Sequence, residues 1–522
     1  MKPLLHLLLR GHATRKHRLM TLLGLLVALE FFENVMFVFS SAHVMGGLAA
    51  APAEFVGAQA AYAVGSLLAI VLQQRLVQRW GYRRVLSVSL GLFALGLLGC
   101  SASGSLPQLA LARGVQGLGG GAFFTAARVL VLLLFAPVDR PQAMRRFMVL
   151  MMSATALAPW CAASLIERWG WASVFVGVLP AVLVVALGLW RWLPDSVGRQ
   201  PGGPAADLAS WRSMVGPLLC FALAALCLQW GFSEARLDVL AHPLRLALLG
   251  LAGAGLLVGF LWHQWRHPTP LLHLRQLNSP VYLVGLGLYF VHYFLSNFAA
   301  YLFPIYAERG LGLPLTTTGA LNSLAGVTSL VVAWAYIRWA GRLPHKRPLM
   351  LAGLLSLALC AWGLASQPAG VSVGALLPAL LLKGVFGVLL VLPVAGLTFR
   401  ELGDHGFAHG YQGKNLMRQM ASSGASAVAA VMLQNRQFAL HDELLVGLSP
   451  DRPGVSHWMA SMAGALQARG FSPEQAHLGA LAQLSALLDN QALLLACEDL
   501  YRLLAAMALL AALLVAWQRR LP

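Results

Sequence analysis

Apolar runs of 18 or more residues recur along almost the whole chain, separated by segments that hold most of the charge. A run of that length crosses about 30 Å of hydrocarbon at ~1.5 Å per residue, so each predicts a transmembrane helix. Fourteen runs qualify, at 19–41, 52–73, 85–104, 107–135, 147–166, 172–193, 214–232, 244–264, 281–303, 315–337, 349–366, 371–397, 416–434 and 492–517. The expected fold class is therefore an all-α polytopic membrane protein with 14 transmembrane helices.

Composition removes the soluble alternatives. Of 522 residues, 58% are hydrophobic and 11% charged, with a mean hydropathy of +0.71. So few charges cannot cover a globule of this size, and lipid must serve as solvent. The six cysteines form no CxxC pair, and all lie in or beside apolar runs, where packing explains them. The net charge of +18 raises the possibility of nucleic acid, but its placement argues against it. With the connections alternating between two sides, and Arg191, Arg245 and Arg418 assigned to the nearer side as span-end residues, 26 Lys/Arg fall on the side of the N-terminus and 7 on the other. Arg113, Arg128, Lys383 and Arg502 lie deeper within spans. By the positive-inside rule both termini are cytoplasmic and the first span is an uncleaved anchor, in a plasma membrane and most simply a bacterial inner membrane.

The chain carries an internal symmetry. LARGVQG around Arg113 recurs as LLKGVFG around Lys383, and QRWGYRR at 78–84 has a looser echo in IRWAGR at 337–342. The expected organisation is a six-helix half over 1–193, a linker and two inserted spans over 194–267, and a second six-helix half over 268–522. Two such halves place a substrate site at their interface near mid-membrane. An outer segment at 435–491 includes SPEQAHLGALAQLSALLDNQ, in which Ser472, Pro473 and Gln475 form a helix start and Leu478, Leu481, Leu484 and Leu488 repeat at helical spacing. That pattern predicts an amphipathic helix lying on the outer surface.

Candidate chemistry concentrates inside the spans. Glu30 and Glu33 stand about 17 and 21 Å deep in the first span at 1.5 Å per residue, and Asn34 shares their face. A carboxylate facing lipid costs a few kcal/mol, so these acids must meet a polar cavity or a partner. Arg113, entering from the outside, reaches a matching depth. The functional expectation is that Glu30 or Glu33 exchanges a proton as its access to water changes, with Glu30 the stronger candidate. A permanent Glu–Arg pair locking two helices is the structural alternative. Lys383 offers a cation with no acid at its depth in its own half, for substrate or for the first-half acids. His292, with Tyr289, Tyr293, Ser296 and Asn297, gives the ninth span a polar, aromatic face. Gln229 and Trp230 in an inserted span read as structural. His405 and His409 have a metal-compatible spacing, but they fall in a Gly-containing loop without a third ligand, so no metal is expected. Glycines in VQGLGGG permit close helix approach. No GxxxxGK[ST] occurs, so energy must come from an ion gradient and no cofactor is expected.

These motifs, in their order, resemble the major facilitator superfamily, and within it the fourteen-span drug:proton antiporters of the EmrB/QacA type. QRLVQRWGYRR at 74–84 is similar to the loop between the second and third helices, keeping Arg79, Gly81, Arg83 and Arg84, with Gln74 and Gln78 in place of the family's first Gly and its Asp. RGVQGLGGG, with Arg113, Gln116 and Gly117, matches the fourth-helix motif associated with proton coupling. Ala158 and Pro159, followed by Ala162 and Ala163, resemble the fifth-helix antiporter motif with Ala replacing Gly. LEFFENV places Glu30 where an Asp is usual.

The resemblance implies the major facilitator fold of two six-helix halves plus two inserted helices. It also implies proton-driven export of drugs or other small amphipathic molecules by alternating access. The partners expected are a small-molecule substrate, protons and membrane lipid, with no nucleic acid. A periplasmic adaptor fits a double-membraned bacterium. Export of an endogenous metabolite or siderophore, or symport, is the alternative within transport. A membrane-embedded enzyme using His441, Asp442 and Glu443 and a nontransporting receptor are the alternatives outside it.

Overall fold

The computed structural model describes residues 13–50, 52–199, 208–234, 243–267, 270–272, 274–339, 343, 345–400, 402, 404–448 and 453–518. The chain's first twelve residues, the Pro/Gly-rich stretch 200–207, part of the echo at 337–342 and the side chains of Gln229, Trp230 and His405 lie outside the described residues.

The described residues are helical throughout the apolar runs. Helices α1 (Ala13–Phe39), α2 (Ser41–Gly47), α3 (Pro52–Trp80) and α4 (Tyr82–Ser101) are followed by α5 (Leu106–Gly120) and α6 (Phe123–Leu134). Then come α7 (Arg140–Trp169), α8 (Ser173–Val176), α9 (Leu179–Trp192), α10 (Leu208–Glu234) and α11 (Pro243–Arg266). The remainder holds α12 (Pro280–Ile305), α13 (Leu315–Trp339), α14 (Arg347–Ala365), α15 (Val373–Leu389), α16 (Val391–Thr398), α17 (Asp404–Gly447), α18 (Pro453–Gln467) and α19 (Pro473–Trp517). Among the described residues twelve helices are long and apolar enough to cross a membrane, an even number consistent with both termini on one side. Of the fourteen expected spans, α10 and α17 fall short of that measure. The apolar part of α10 is Val215–Leu228, and α17 is diluted by polar residues that it buries, among them Lys414, Asn415, Arg418 and Gln419.

Apolar side chains on the outer faces stay exposed, such as Leu111, Val184, Leu251 and Trp362, as expected where hydrocarbon rather than water surrounds the bundle. Inside, one buried cluster draws on residues 19–197 and a second on 288–515, each with a few members from the other side, while a third joins α3 to the inserted helices α10 and α11. The halves meet along two seams, α3 against α17 and α7 against α13, and α10 leans on the first of them.

Glycine sets how closely these helices approach. An added Cβ at Gly117 or Gly121 would run into Tyr62 or Ser66 of α3, and one at Gly119 into the α4 backbone. The same glycines weaken the helix between α5 and α6. The carbonyls freed there are taken up by Gln73 on Ala122 O at 3.1 Å and Asn415 on Gly121 O at 3.1 Å, as buried backbone groups require.

Three local expectations are corrected. The segment 435–491 is not a loop carrying a separate surface helix. Its ends continue α17 and α19, helices of 44 and 45 residues, and α18 packs on α19. The capping box at Ser472 and Gln475 is present, with contacts of 3.3 and 3.2 Å, but the predicted apolar stripe is mostly outward: Leu478 is 66% exposed. Ala476 and Ala480 are buried instead, because small residues let neighbouring helices close in. His405 and His409 lie in the first turns of α17 rather than in a loop. Finally, Arg418 is not at a span end. α17 begins at Asp404, so Arg418 stands about 21 Å along it at 1.5 Å per residue. The polar residues around it pushed the apolar window toward the C-terminus.

Candidate functional site

Two buried ion pairs sit at the centre of the bundle. Arg113, on α5, donates to Glu33 Oε1 at 2.5 Å and to Gln116 Oε1 at 2.8 Å. Its guanidinium carbon lies 3.9 Å from the Phe37 ring centre and 4.3 Å from that of Tyr62. Asn34 joins this group, donating to Tyr62 Oη at 3.0 Å and to the Glu30 carbonyl at 2.8 Å. The depths counted along the sequence thus bring Glu33 and Arg113 together.

Glu30 is not Arg113's partner. Its Oε1 accepts from Arg418 Nη2, and from Gln419 Nε2 at 3.4 Å. Arg418 is held from behind by Asn415, which accepts from its Nε at 2.7 Å and donates to Thr125 Oγ1 at 3.1 Å. This pair crosses from one half to the other, whereas Glu33 and Arg113 belong to the same half. Both carboxylates are fully buried, and each keeps a second oxygen, Oε2, without a hydrogen-bond partner. An orphaned buried acceptor is costly, and it marks where a proton can reside.

Around the pairs lies a cavity of about 390 Å³ between the halves, a volume in the range of small-molecule sites. Asn34, Arg113, His292, Asn297 and Lys383 line it, together with Arg128, Lys414 and Arg418. Met144, Met148, Met151 and Met152 form a flexible apolar wall from α7. Lys383 does not reach the first-half acids. It donates to Asn322 Oδ1 at 2.8 Å, 4.9 Å from the Phe303 ring centre. His292 packs between the Tyr293 and Phe386 rings, and its Nδ1 is unpartnered. Asn297 ties α12 to α17 through Ser422 Oγ at 3.0 Å.

Of the remaining motif residues, those of the α3–α4 turn lie away from the cavity, whereas Pro159 lines it. Gly81 has φ +82°, and a Cβ there would come 2.8 Å from Asp195 O. Arg83 bonds Asp195 at 2.9 Å, fastening the α3–α4 turn to the chain after α9 within one half. Arg79 lies beside the Trp80 ring and Arg84 is exposed. The neutral Gln74 makes a contact between halves here, to His409 Nε2 at 3.3 Å, beside Gln412, which donates to Ile70 O at 2.9 Å. Pro159 forms part of the α7–α13 seam, while Ala158 is buried in the first-half core. Gly319 faces Pro159 and Ala163, and Ser323 Oγ accepts from the Trp160 amide at 3.0 Å.

Sequence reasoning places Arg128 within a span and Arg418 at a span end without giving either a role at the site, and it passes over Lys414. The signal available was the density of polar residues in 412–426, which no lipid-facing helix would carry. Among the described residues no cluster of three or more potential metal ligands occurs. His441 contacts Asp489 at 3.5 Å in an exposed ion-pair group that links α17 to α19.

Comparison with known proteins places this geometry. The chain is 23% identical over 396 residues to the MFS-type transporter YhcA of Bacillus subtilis, covering 74% of this chain and 71% of that protein. It is 25% identical to MdtD of Salmonella typhimurium, provisionally named a multidrug resistance protein, over 69% of this chain and 74% of that one. Among solved structures, a proton-dependent oligopeptide transporter superposes with a TM-score of 0.62 at 14% identity, covering 96% of this chain and 98% of that one. The nucleoside transporter NupG gives 0.56 at 8%, covering 95% and 99%. At such identities these two likenesses speak to the fold alone. The sequence pattern of the Major Facilitator Superfamily matches residues 21–425, and with the two-half bundle and its central cavity this establishes that the chain belongs to that superfamily and is a transporter, not an enzyme.

Proposed function

We propose that the protein is a proton-coupled secondary active transporter that moves a small amphipathic metabolite across the membrane by alternating access. The observation that carries this reading is the Glu30–Arg418 pair, which spans the two halves with one carboxylate oxygen unpartnered. When the halves separate on that side, Arg418 leaves with α17. A carboxylate stripped of its cation in a low-dielectric interior is stable only as the protonated acid. Re-closure re-forms the pair and releases the proton, so proton binding and the conformational cycle are linked. Glu33, paired within its own half, holds Arg113 and serves as the secondary proton site.

The expected topology is fourteen crossing helices of the EmrB/QacA type, with α10 and α17 completing the set and both termini cytoplasmic in a bacterial inner membrane. α17 crosses despite its polarity because that polarity faces the cavity. The metabolite is put first by analogy of fold alone, since the structural neighbours are named for peptides and nucleosides. Drug export is the second reading, and the name of MdtD supports it. Nothing in the fold calls for a periplasmic adaptor.

The test is solute-dependent proton flux in liposomes, comparing wild type with Glu30→Gln and Glu33→Gln. Flux at background in Glu30→Gln, with partial loss in Glu33→Gln, is the expected result. Unchanged flux in both would reduce these acids to structural partners of their arginines.

A further inference from the structure

Five cations reach the central cavity, but the acids compensate only two. Glu33 pairs with Arg113 and Glu30 with Arg418, which leaves Arg128, Lys383 and Lys414 without a carboxylate partner among the described residues. Lys414 is the sharpest case. It is 2% exposed, and its ammonium faces the rings of Phe124, Tyr289 and Tyr293 at 3.9, 5.1 and 5.2 Å from their centres. Arg128, from the other half, lies 4.4 Å from the ring centre of Tyr411, touches Met144 Sδ, and has an unpartnered Nε. Lys414 is close enough to Arg128 and Arg418 for their charges to repel it, and the one acid that attracts it, Glu30, is already bonded to Arg418.

Aromatic faces attract a cation but do not replace its hydration, so a buried ammonium with no carboxylate of its own beside two guanidinium groups is disfavoured. Such a cluster is retained where something else supplies negative charge. Neither Glu30 nor Glu33 lines the cavity surface, so a solute entering it meets positive charge, aromatic rings and the methionines of α7.

We propose that Arg128 and Lys414 form an anion-binding subsite, and that the transported solute is an amphipathic organic anion whose carboxylate or phosphate bridges the two halves while its apolar body lies against the Phe124, Tyr289 and Tyr293 rings and the α7 methionines. This rests on the transporter reading above and narrows its substrate class. Arg128 belongs to α6 of the first half and Lys414 to α17 of the second, so one anionic group can bind both halves at once. Cationic amphiphiles are excluded by the same charge. Lys383, beside Asn322, provides a second positive point for a solute with two acidic groups.

The experiment measures binding without any proton gradient. Purified full-length protein in detergent is titrated with 2-naphthoate, 2-naphthyl phosphate and 2-naphthylmethylammonium, which share an apolar body and differ in charge, and saturation is read from thermal stabilisation. The expected result is half-saturation by at least one of the two anions at a concentration at least tenfold below that of the cation. Lys414→Gln and Arg128→Gln should each weaken the anion tenfold or more, while Lys414→Arg retains it. Lys414→Gln removes an uncompensated charge, so it should fold at least as well as wild type, and its unfolding temperature without ligand checks this. Stronger binding of the cation, no binding of either anion, or anion binding unchanged in both Gln variants would overturn the proposal. Anions that bind yet drive no proton flux would instead overturn the coupled-transport reading and leave the subsite standing.

Discussion

The two halves carry a similar local sequence, LARGVQG and LLKGVFG, and put it to different electrostatic use. In the first half Arg113 of LARGVQG meets Glu33 and Gln116, with its guanidinium between two aromatic rings. In the second half Lys383 of LLKGVFG meets the neutral Asn322. A cation that is neutralised in place acts on its partner carboxylate, whereas a cation left uncompensated beside a cavity acts on whatever enters. On the function proposed above, the paired cations Arg113 and Arg418 serve the proton-carrying acids, and the cavity cations without a carboxylate partner, Lys383 and Lys414 of the second half with Arg128 of the first, are left for the solute.

The largest expected effect contrasts these two cations directly. Arg113→Met leaves Glu33 buried without a counter-charge and should destabilise the fold by about 3–5 kcal/mol in thermal or denaturant unfolding in detergent. Lys383→Met removes an uncompensated charge and should change stability by less than about 1 kcal/mol, or raise it. Equal losses from the two substitutions would erase the contrast.

The seam holding the halves together comes next. Gly319→Ala brings a methyl group 2.7 Å from Ala163 Cβ and 2.8 Å from Pro159 O, and should cost about 1–3 kcal/mol. Gly424 has open space around it, so Gly424→Ala should be tolerated. Unfolding of the two variants side by side checks whether α7–α13 packing, rather than glycine content, governs the seam. The contrast can also be sharpened by making the second half resemble the first. Asn322→Asp gives Lys383 an acid and should stabilise the protein by about 1–2 kcal/mol, in line with hydrogen bonds to charged groups. The same variant should weaken 2-naphthoate binding, since it lowers the cavity's positive charge.

The smallest effect lies in the extension that only the second half has. Ser472→Ala removes a cap at the start of α19 and should cost about 1 kcal/mol, seen as faster amide exchange in its first turns without loss of transport.

Much of the bundle was legible because lipid leaves few options. Length and apolarity identify spans, and counting residues gives depth, which sets Glu30, Glu33 and Arg113 at one level without choosing between the two acids. Arg418 was hidden by the same method. A helix facing a cavity on one side carries Lys414, Asn415, Arg418 and Gln419 at mid-membrane, so its apolar window slides away from its true start at Asp404. The outer extension misled for a related reason. Leu478, Leu481 and Leu484 repeat at helical spacing, but the contact is made by Ala476 and Ala480, because close helix packing selects small residues as well as apolar ones.

By itself the sequence determined that this chain is an all-helical membrane protein, that its acids lie at mid-depth, and that an arginine waits at the same level. Burial in hydrocarbon forces all three, and periodicity records them. Tertiary structure alone decided which cation each acid meets, because partner choice depends on how α1, α5 and α17 are rotated against one another. That rotation set Glu33 against Arg113 inside one half and Glu30 against Arg418 across the divide, and it turned Arg128 and Lys414 toward the same cavity.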